Sequence, residues 1–242
     1  MAKPKITFYV DIVSPFAYLA FYALNNFPVF APCEITYVPI FLGGVMKACG
    51  NTPPLRIKMP MYATPKLTKV PPDKDTWVGR ERNRWATKFN IPIMEGMPEG
   101  FPPNTVTVML SFRIPSPMRA LSLIAAHHPT HLQSSIAACY DAFWVQGKAI
   151  QDPAILTAAL ASALGQSQAQ ELMKEVGSQE ARNLLSENTD EALREGAFGL
   201  PWIVATNPAG EKEAFWGFDH LAQVVDHLGL ERPREGPWRA LL

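Results

Sequence analysis

The stretch from Ile6 to Leu19, ITFYVDIVSPFAYL, constrains the fold more than any other part of this chain. An apolar, β-branched run stops at Ser14-Pro15, and a helical pattern starts at once. Serine is a favoured N-cap and proline a favoured first helical residue, so the pattern predicts a strand that leads directly into a helix. A hydroxyl and the free N–H groups of a helix N-terminus would then lie at the carboxyl end of a strand, where an anion is held well.

Charge balance, cysteine spacing and the length of apolar runs limit the partners and the compartment that this chain is expected to have. Lys+Arg and Asp+Glu balance at 22 each in 242 residues, which argues against nucleic acid or an anionic membrane as a charge-driven partner. Three cysteines at wide spacings predict neither a disulfide framework nor a metal knuckle, and suit a reducing compartment. The sequence shows no bilayer-spanning apolar run and no signal-peptide core, so we expect a protein that is neither secreted nor inserted in a membrane.

The remaining elements are predicted in the order β-α-β, a helical block, then β-β-α. A second strand is expected from Cys33 to Ile40, and the proline-rich segment 51–72 is typical of a linker or rim. Two short strands, Trp202–Ala205 and Glu213–Trp216, precede a last helix over Asp219–Leu228. Helical spacing covers Lys74–Phe89, Pro117–His127, His131–Gly147, Pro153–Leu164, Gln168–Val176 and Gln179–Gly196.

This order predicts an α/β fold of the thioredoxin-like, DsbA-like type. Residues 1–63 and 197–242 would form the domain with the four-stranded sheet, and residues 64–196 an inserted helical domain. The sequence GAFGLPW, residues 196–202, marks the return from helices to sheet. A cis bond before Pro201 would expose the backbone of Leu200, whereas a plain loop with Gly196 as a helix C′ cap is the alternative.

Motifs along most of the chain resemble those of kappa-class glutathione transferases. That family shares a superfamily with the 2-hydroxychromene-2-carboxylate isomerases and the DsbA thiol oxidants. The matching strings, in family order, are FYVDIVSPFAYL (8–19), LGGVMK (42–47), GNTPP (50–54), NIPI (90–93), GAFGLP (196–201) and FWGFD (215–219). The least matched part is 55–80.

The resemblance implies that glutathione is the cofactor and that its thiolate is the nucleophile. Thioredoxin-like proteins carry a Cys-x-x-Cys where this chain has Ser14 and Ala17, so the thiolate must arrive on a ligand. By resemblance Ser14 is the catalytic residue, donating a hydrogen bond to the sulfur, which favours the charged form. A serine that merely caps the helix is the plain alternative.

The same resemblance supplies the glutathione-binding residues. Leu200, before Pro201, would pair its backbone with the cysteinyl unit, and Asp219 would pair with the γ-glutamyl ammonium. Phe218 stands where the family usually has serine, so only its backbone N–H could serve. Asn51 resembles a glutathione-contacting asparagine, and Lys58 is a candidate for the glycyl carboxylate. Each of these residues also has a plain alternative. Asp219 could simply cap a helix, Asn51 could form a turn, and Lys58 could be an ordinary solvated lysine.

Other residues bear on the co-substrate and on metals. Phe16, Tyr18 and Trp85 could line a hydrophobic pocket, although core packing explains such aromatic residues equally well.

His127 and His131 have helical i,i+4 spacing, but Pro129 between them breaks the helix that would align them, so no metal site is predicted.

The expected function is therefore conjugation of glutathione to small, hydrophobic electrophiles, a role in detoxification. A glutathione-dependent 2-hydroxychromene-2-carboxylate-type isomerase is the alternative, and a non-catalytic DsbA-like peptide-binding or chaperone module is a third. The resemblance also implies a homodimer, without nucleic acid or membrane insertion. A cytoplasmic location is expected, or a mitochondrial or peroxisomal one as in relatives.

Overall fold

A computed structural model describes residues 2–51, 72–101, 117–233, 236 and 238. Within these ranges the strands are β1 (Lys5–Val10), β2 (Glu34–Pro39), β3 (Trp202–Thr206) and β4 (Lys212–Trp216). The α-helices are α1 (Pro15–Asn26), α2 (Leu42–Ala48), α3 (Pro72–Phe89), α4 (Pro117–His127), α5 (Leu132–Tyr140), α6 (Pro153–Leu164), α7 (Gln166–Glu175), α8 (Gln179–Arg194) and α9 (Leu221–His227). The predicted β-α-β and β-β-α halves are both present, separated by helices.

The four strands form one mixed sheet in the order β2-β1-β3-β4. β1 runs parallel to β2, as a β-α-β crossover requires, and antiparallel to β3, which pairs antiparallel with β4. The carboxyl ends of β1, β2 and β4 therefore lie at the same edge of the sheet as the amino end of β3. The loops that carry Ser14, Leu200 and Asp219 leave or enter the sheet at this edge, and Asn51 follows the helix that begins there, α2.

Alternating side chains of β1 pack on the two faces of the sheet. Phe8 packs edge-on against Tyr37, which also contacts Phe21 of α1. On the opposite face the Tyr9 hydroxyl donates to Glu191 of α8 at 3.0 Å. The sheet is thus buried between α1 and α8, which fixes the register of β1 because a one-residue slip would exchange its two faces.

Three helix starts expected from sequence are confirmed by their caps. Ser14, Asp152 and Ser178 each accept a hydrogen bond from a backbone N–H of the first turn, at 3.2, 2.7 and 3.0 Å. α2 was not predicted. The expected helix over 131–147 is α5 followed by a π-helical segment, Asp141–Val145, in which Gln146 N donates to Asp141 O.

Among the helices described, none is long and apolar enough to cross a bilayer. In the same part of the chain, no three His, Cys, Asp or Glu side chains come together as metal ligands would. His127 lies at the end of α4 and its Nε2 is 2.8 Å from Glu180 Oε1, while His131 belongs to a separate 3₁₀ turn after Pro129.

Candidate glutathione site

Strand register brings the two ends of the predicted site together. Tyr9 pairs with Trp202, and Trp202 pairs with Trp216, so Pro201 lies between the last residue of β1 and Gly217. Gly217 N donates to Pro201 O at 3.1 Å. The Leu200-Pro201 bond is cis, as expected from the sequence. The loop before β3 therefore lies beside both the Ser14 loop and the Asp219 turn.

Ser14 caps α1 with a hydroxyl that can accept and donate at the same time. Its side chain is buried, and its Oγ accepts from Ala17 N at 3.2 Å, so it caps α1. A serine hydroxyl can accept while its own O–H donates elsewhere, and capping therefore leaves the proton for a ligand. The first turn of α1 holds no acidic residue that would oppose an anion there.

Asp11 is a buried carboxylate next to the Ser14 loop that the sequence analysis did not single out. Its side chain is 1% exposed, Oδ1 accepts from Val13 N at 3.1 Å, and Oδ2 accepts from Leu42 N at 2.9 Å. Burial raises the pKa of this carboxyl to about 6, although the two backbone N–H groups act in the opposite direction. The available signal was an acidic residue inside an apolar run, between Val10 and Ile12.

The segment after α2 contacts the loop before β3. Asn51 Nδ2 donates to Phe198 O at 2.9 Å, and Cys49 Sγ donates to Ala197 O at 3.4 Å. The Asn51 side chain thus holds the approach to Leu200-Pro201. Lys58 lies outside the described residues.

Asp219 lies two residues after Gly217, a position where only glycine fits without strain. Gly217 has φ +103, and a Cβ there would lie 2.4 Å from Asp219 Oδ1. The Asp219 side chain is exposed and its Oδ1 is 3.4 Å from His220 Nδ1. A carboxylate in the 3₁₀ turn that precedes α9 is therefore presented to solvent beside the Pro201 loop.

Phe218 is a core residue. Its ring is buried and packs at 5.5 Å from the Trp85 ring and 5.4 Å from the Phe89 ring, both of α3. Trp85 is half-buried in this cluster. The serine that the kappa-class resemblance leads us to expect at this position could not make these contacts.

The two remaining aromatic candidates are placed in or near the core. The Tyr18 hydroxyl donates to Pro92 O and its ring packs against Tyr140, so the side chain is buried. Phe16 is half-buried against the core at the start of α1. Together with Trp85, described above, these residues were candidates for a co-substrate pocket, and that role stays a prediction.

Comparison with known proteins gives the family. A family model described as a DSBA-like thioredoxin domain matches residues 5–229. The chain belongs to this family. Among curated proteins it is 27% identical over 225 residues to glutathione S-transferase kappa 1 of Homo sapiens, covering 93% of this chain and 90% of that protein. The resemblance to kappa-class transferases is therefore confirmed, and a kappa or DsbA-like function holds at the level of the family.

Solved structures agree on the DsbA-like fold. The chain superposes on a 2-hydroxychromene-2-carboxylate isomerase with a TM-score of 0.65 at 23% identity, covering 93% of this chain and 94% of the isomerase. It also superposes on the cytosolic disulfide reductase DsbM from Pseudomonas aeruginosa, solved with GSH, with a TM-score of 0.54 at 15% identity, covering 93% and 96%. At these identities the likeness establishes the thioredoxin-like fold with inserted helices.

Proposed function

We propose that this protein binds glutathione at the Ser14 edge of the sheet and transfers its thiolate to small hydrophobic electrophiles. One observation carries the proposal: the capped N-terminus of α1, the cis Leu200-Pro201 loop and the Asp219 turn meet at one edge. Relatives named glutathione S-transferase kappa support the choice of ligand.

Ser14 would stabilise the reactive form of the sulfur. A free cysteinyl thiol has a pKa of about 8.5, so only a minor fraction is ionised at neutral pH. The hydroxyl proton of Ser14 donates to the sulfur while Ala17 N–H continues to donate to Oγ. With the positive end of the α1 dipole, this hydrogen bond lowers the pKa of the bound thiol and enlarges the thiolate fraction.

The rest of the tripeptide would extend in two directions from the sulfur. Leu200 pairs its backbone with the cysteinyl unit, as an added strand does. The γ-glutamyl ammonium meets the exposed carboxylate of Asp219, beside the backbone N–H of Phe218. The glycyl end points toward Asn51, and Lys58 is proposed as the partner of its carboxylate.

The transfer itself needs no other reactant. With an aryl halide, the thiolate forms the new C–S bond, the halide leaves with the electron pair of the broken bond, and the thiol proton passes to solvent. The thioether is the product and glutathione is consumed. In the isomerase alternative, the sulfur adds to a conjugated carbonyl compound and leaves again, so glutathione is regenerated.

Two measurements test the proposal. Glutathione should raise the melting temperature of the protein, whereas ophthalmic acid, in which a methyl group replaces the thiol, should bind without supporting any reaction. With a chlorodinitrobenzene, thiol loss should match thioether formation one to one. Absence of a glutathione-dependent shift favours the peptide-binding alternative and refutes the proposal. Turnover of a conjugated substrate without thiol loss identifies an isomerase instead.

We also propose that the protein is a homodimer, as the kappa-class resemblance implies. Sedimentation at micromolar concentration should then give a species of twice the chain mass of 26.8 kDa. A single species at the chain mass contradicts this assembly.

A further inference from the structure

Asp11 is a buried carboxylate with a fixed set of partners. Its two oxygens accept from Val13 N in the loop before Ser14 and from Leu42 N at the start of α2. Its own carbonyl accepts from Ser14 N at 3.1 Å and from the Tyr140 hydroxyl at 3.3 Å. One residue thereby connects the loop that carries Ser14 with the helix that leads to Asn51.

The charge on this side chain lowers stability at neutral pH. The pKa of Asp11 is about 6 in the folded protein, above its ordinary value, because burial disfavours the ionised form. A group whose folded pKa is raised adds stability below its unfolded pKa, and that stability is lost as the pH rises through about 6. A carboxylate kept ionised at such a cost is characteristic of sites where function, rather than stability, selects the residue.

We infer that Asp11 is a positioning residue of the glutathione site. Its carboxylate holds the Ser14 loop and the N-terminus of α2 in one register, so that the Ser14 hydroxyl and the Asn51 side chain face the same ligand. The inference rests on the proposed function and extends it. A carboxylate suits the role because it accepts at both oxygens, whereas an amide has one acceptor oxygen and an NH₂ group that would face a backbone N–H.

Tyr140, whose hydroxyl donates to the Asp11 carbonyl, stays neutral where the Asp11 carboxyl titrates. The pKa of Tyr140 of α5 is raised well above its usual range by burial and, to a smaller extent, by Asp11. Two groups beside Tyr140 behave in the same way: burial raises the pKa of Tyr18 of α1, and that of the Cys139 thiol to about 12. Between about pH 5 and pH 7 the ionisation seen in this cluster is therefore that of Asp11.

Asp11→Asn is the direct test, with Thr189→Val as its matched control. Thr189 Oγ1 accepts from Phe41 N at 3.0 Å, so it also holds the start of α2, and it donates to Leu185 O within its own helix rather than to the Ser14 loop. Asp11→Asn should lower kcat/KM for glutathione about tenfold, the scale of one lost buried hydrogen bond. It should also remove the fall in melting temperature that the parent shows as the pH rises from about 4 to about 6.

Thr189→Val should lower the melting temperature and leave kcat/KM within about twofold of the parent. A second measurement does not depend on activity or on any variant. In a pH titration followed by NMR, the backbone amides of Val13 and Leu42 should shift together, with a midpoint near 6, because both donate to the same carboxylate.

The outcomes separate this inference from the function on which it rests. A parent that shows no glutathione-dependent thermal shift refutes the proposed function, and the inference with it. A parent that binds and turns over glutathione, with Asp11→Asn equal to it in kcat/KM, refutes the inference alone. So does a Thr189→Val protein with the same kinetic loss, or a pair of amides that do not titrate together.

Discussion

Replacing Ser14 by alanine separates the two functions that its hydroxyl would serve. The Oγ atom accepts from Ala17 N at 3.2 Å, so the substitution removes the cap of α1 and should lower the free energy of unfolding by about 1 kcal/mol. It also removes the proposed hydrogen-bond donor to the glutathione sulfur. Loss of one well-placed, charge-assisted donor should reduce turnover by roughly 10- to 1,000-fold.

Ser178→Ala is the matched control. Ser178 Oγ accepts from Ala181 N at 3.0 Å, the same cap geometry, at the start of α8. Both variants should therefore lose about the same stability in denaturant titrations, because each loses one cap. Only Ser14→Ala should lose turnover, and Ser14→Thr, which keeps the hydroxyl and the capping ability, should recover most of it.

The pH dependence adds a readout that a lost cap cannot imitate. The rising limb of the turnover profile, which follows thiol ionisation, should move to higher pH by about one to two pH units in Ser14→Ala. Glutathione affinity, measured by calorimetry, should change far less than turnover. Equal turnover for Ser14→Ala and Ser178→Ala at neutral pH, or an unshifted pH profile, would leave Ser14 as a helix cap and nothing more.

Three further substitutions test the other end of the site. Asp219→Asn keeps the size of the side chain but removes its charge, so calorimetry should show glutathione binding weakened by about 1.5–3 kcal/mol, while the unfolding midpoint stays near that of the parent. Gly217→Ala introduces a Cβ 2.4 Å from Asp219 Oδ1, and the displaced carboxylate should weaken glutathione binding in the same assay. Phe218→Ser removes a ring packed between Trp85 and Phe89, so denaturant titration should show about 3–5 kcal/mol less stability.

The sheet and most helices were predictable because their signals are local. Ser14, Asp152 and Ser178 mark helix starts through their own side chains, and the β-rich runs alternate as strands do. α2 escaped prediction because Gly43 and Gly44 disfavour a helix in isolation. The neighbouring Phe41 ring covers both glycines, and two residues distant in sequence, Asp11 and Thr189, accept from the N–H groups at the start of the helix.

The candidate site likewise contains residues with a local sequence signal and residues whose placement depends on contacts distant in sequence. Ser14 and Asp219 stand at helix or turn starts that the sequence displays, and motif order supplied Leu200 and Asn51. The role of Asp11 depends on Leu42, 31 residues away, and the burial of Phe218 depends on a helix far along the chain. The sequence gives no periodic pattern for contacts of this kind, because tertiary packing creates them.

The hydrogen bond from Asn51 to Phe198 joins positions 147 residues apart. A ligand that bridges Ser14, Asn51 and Asp219 therefore binds to no fragment of the chain, because its contacts exist only after the segments on both sides of the helical block have met. Binding would stabilise the whole native state by RT ln(1 + [L]/Kd), about 2.7 kcal/mol at a hundredfold excess over Kd. The cellular glutathione pool would then act as a ligand that protects the folded chain against global unfolding, whether or not an acceptor is present.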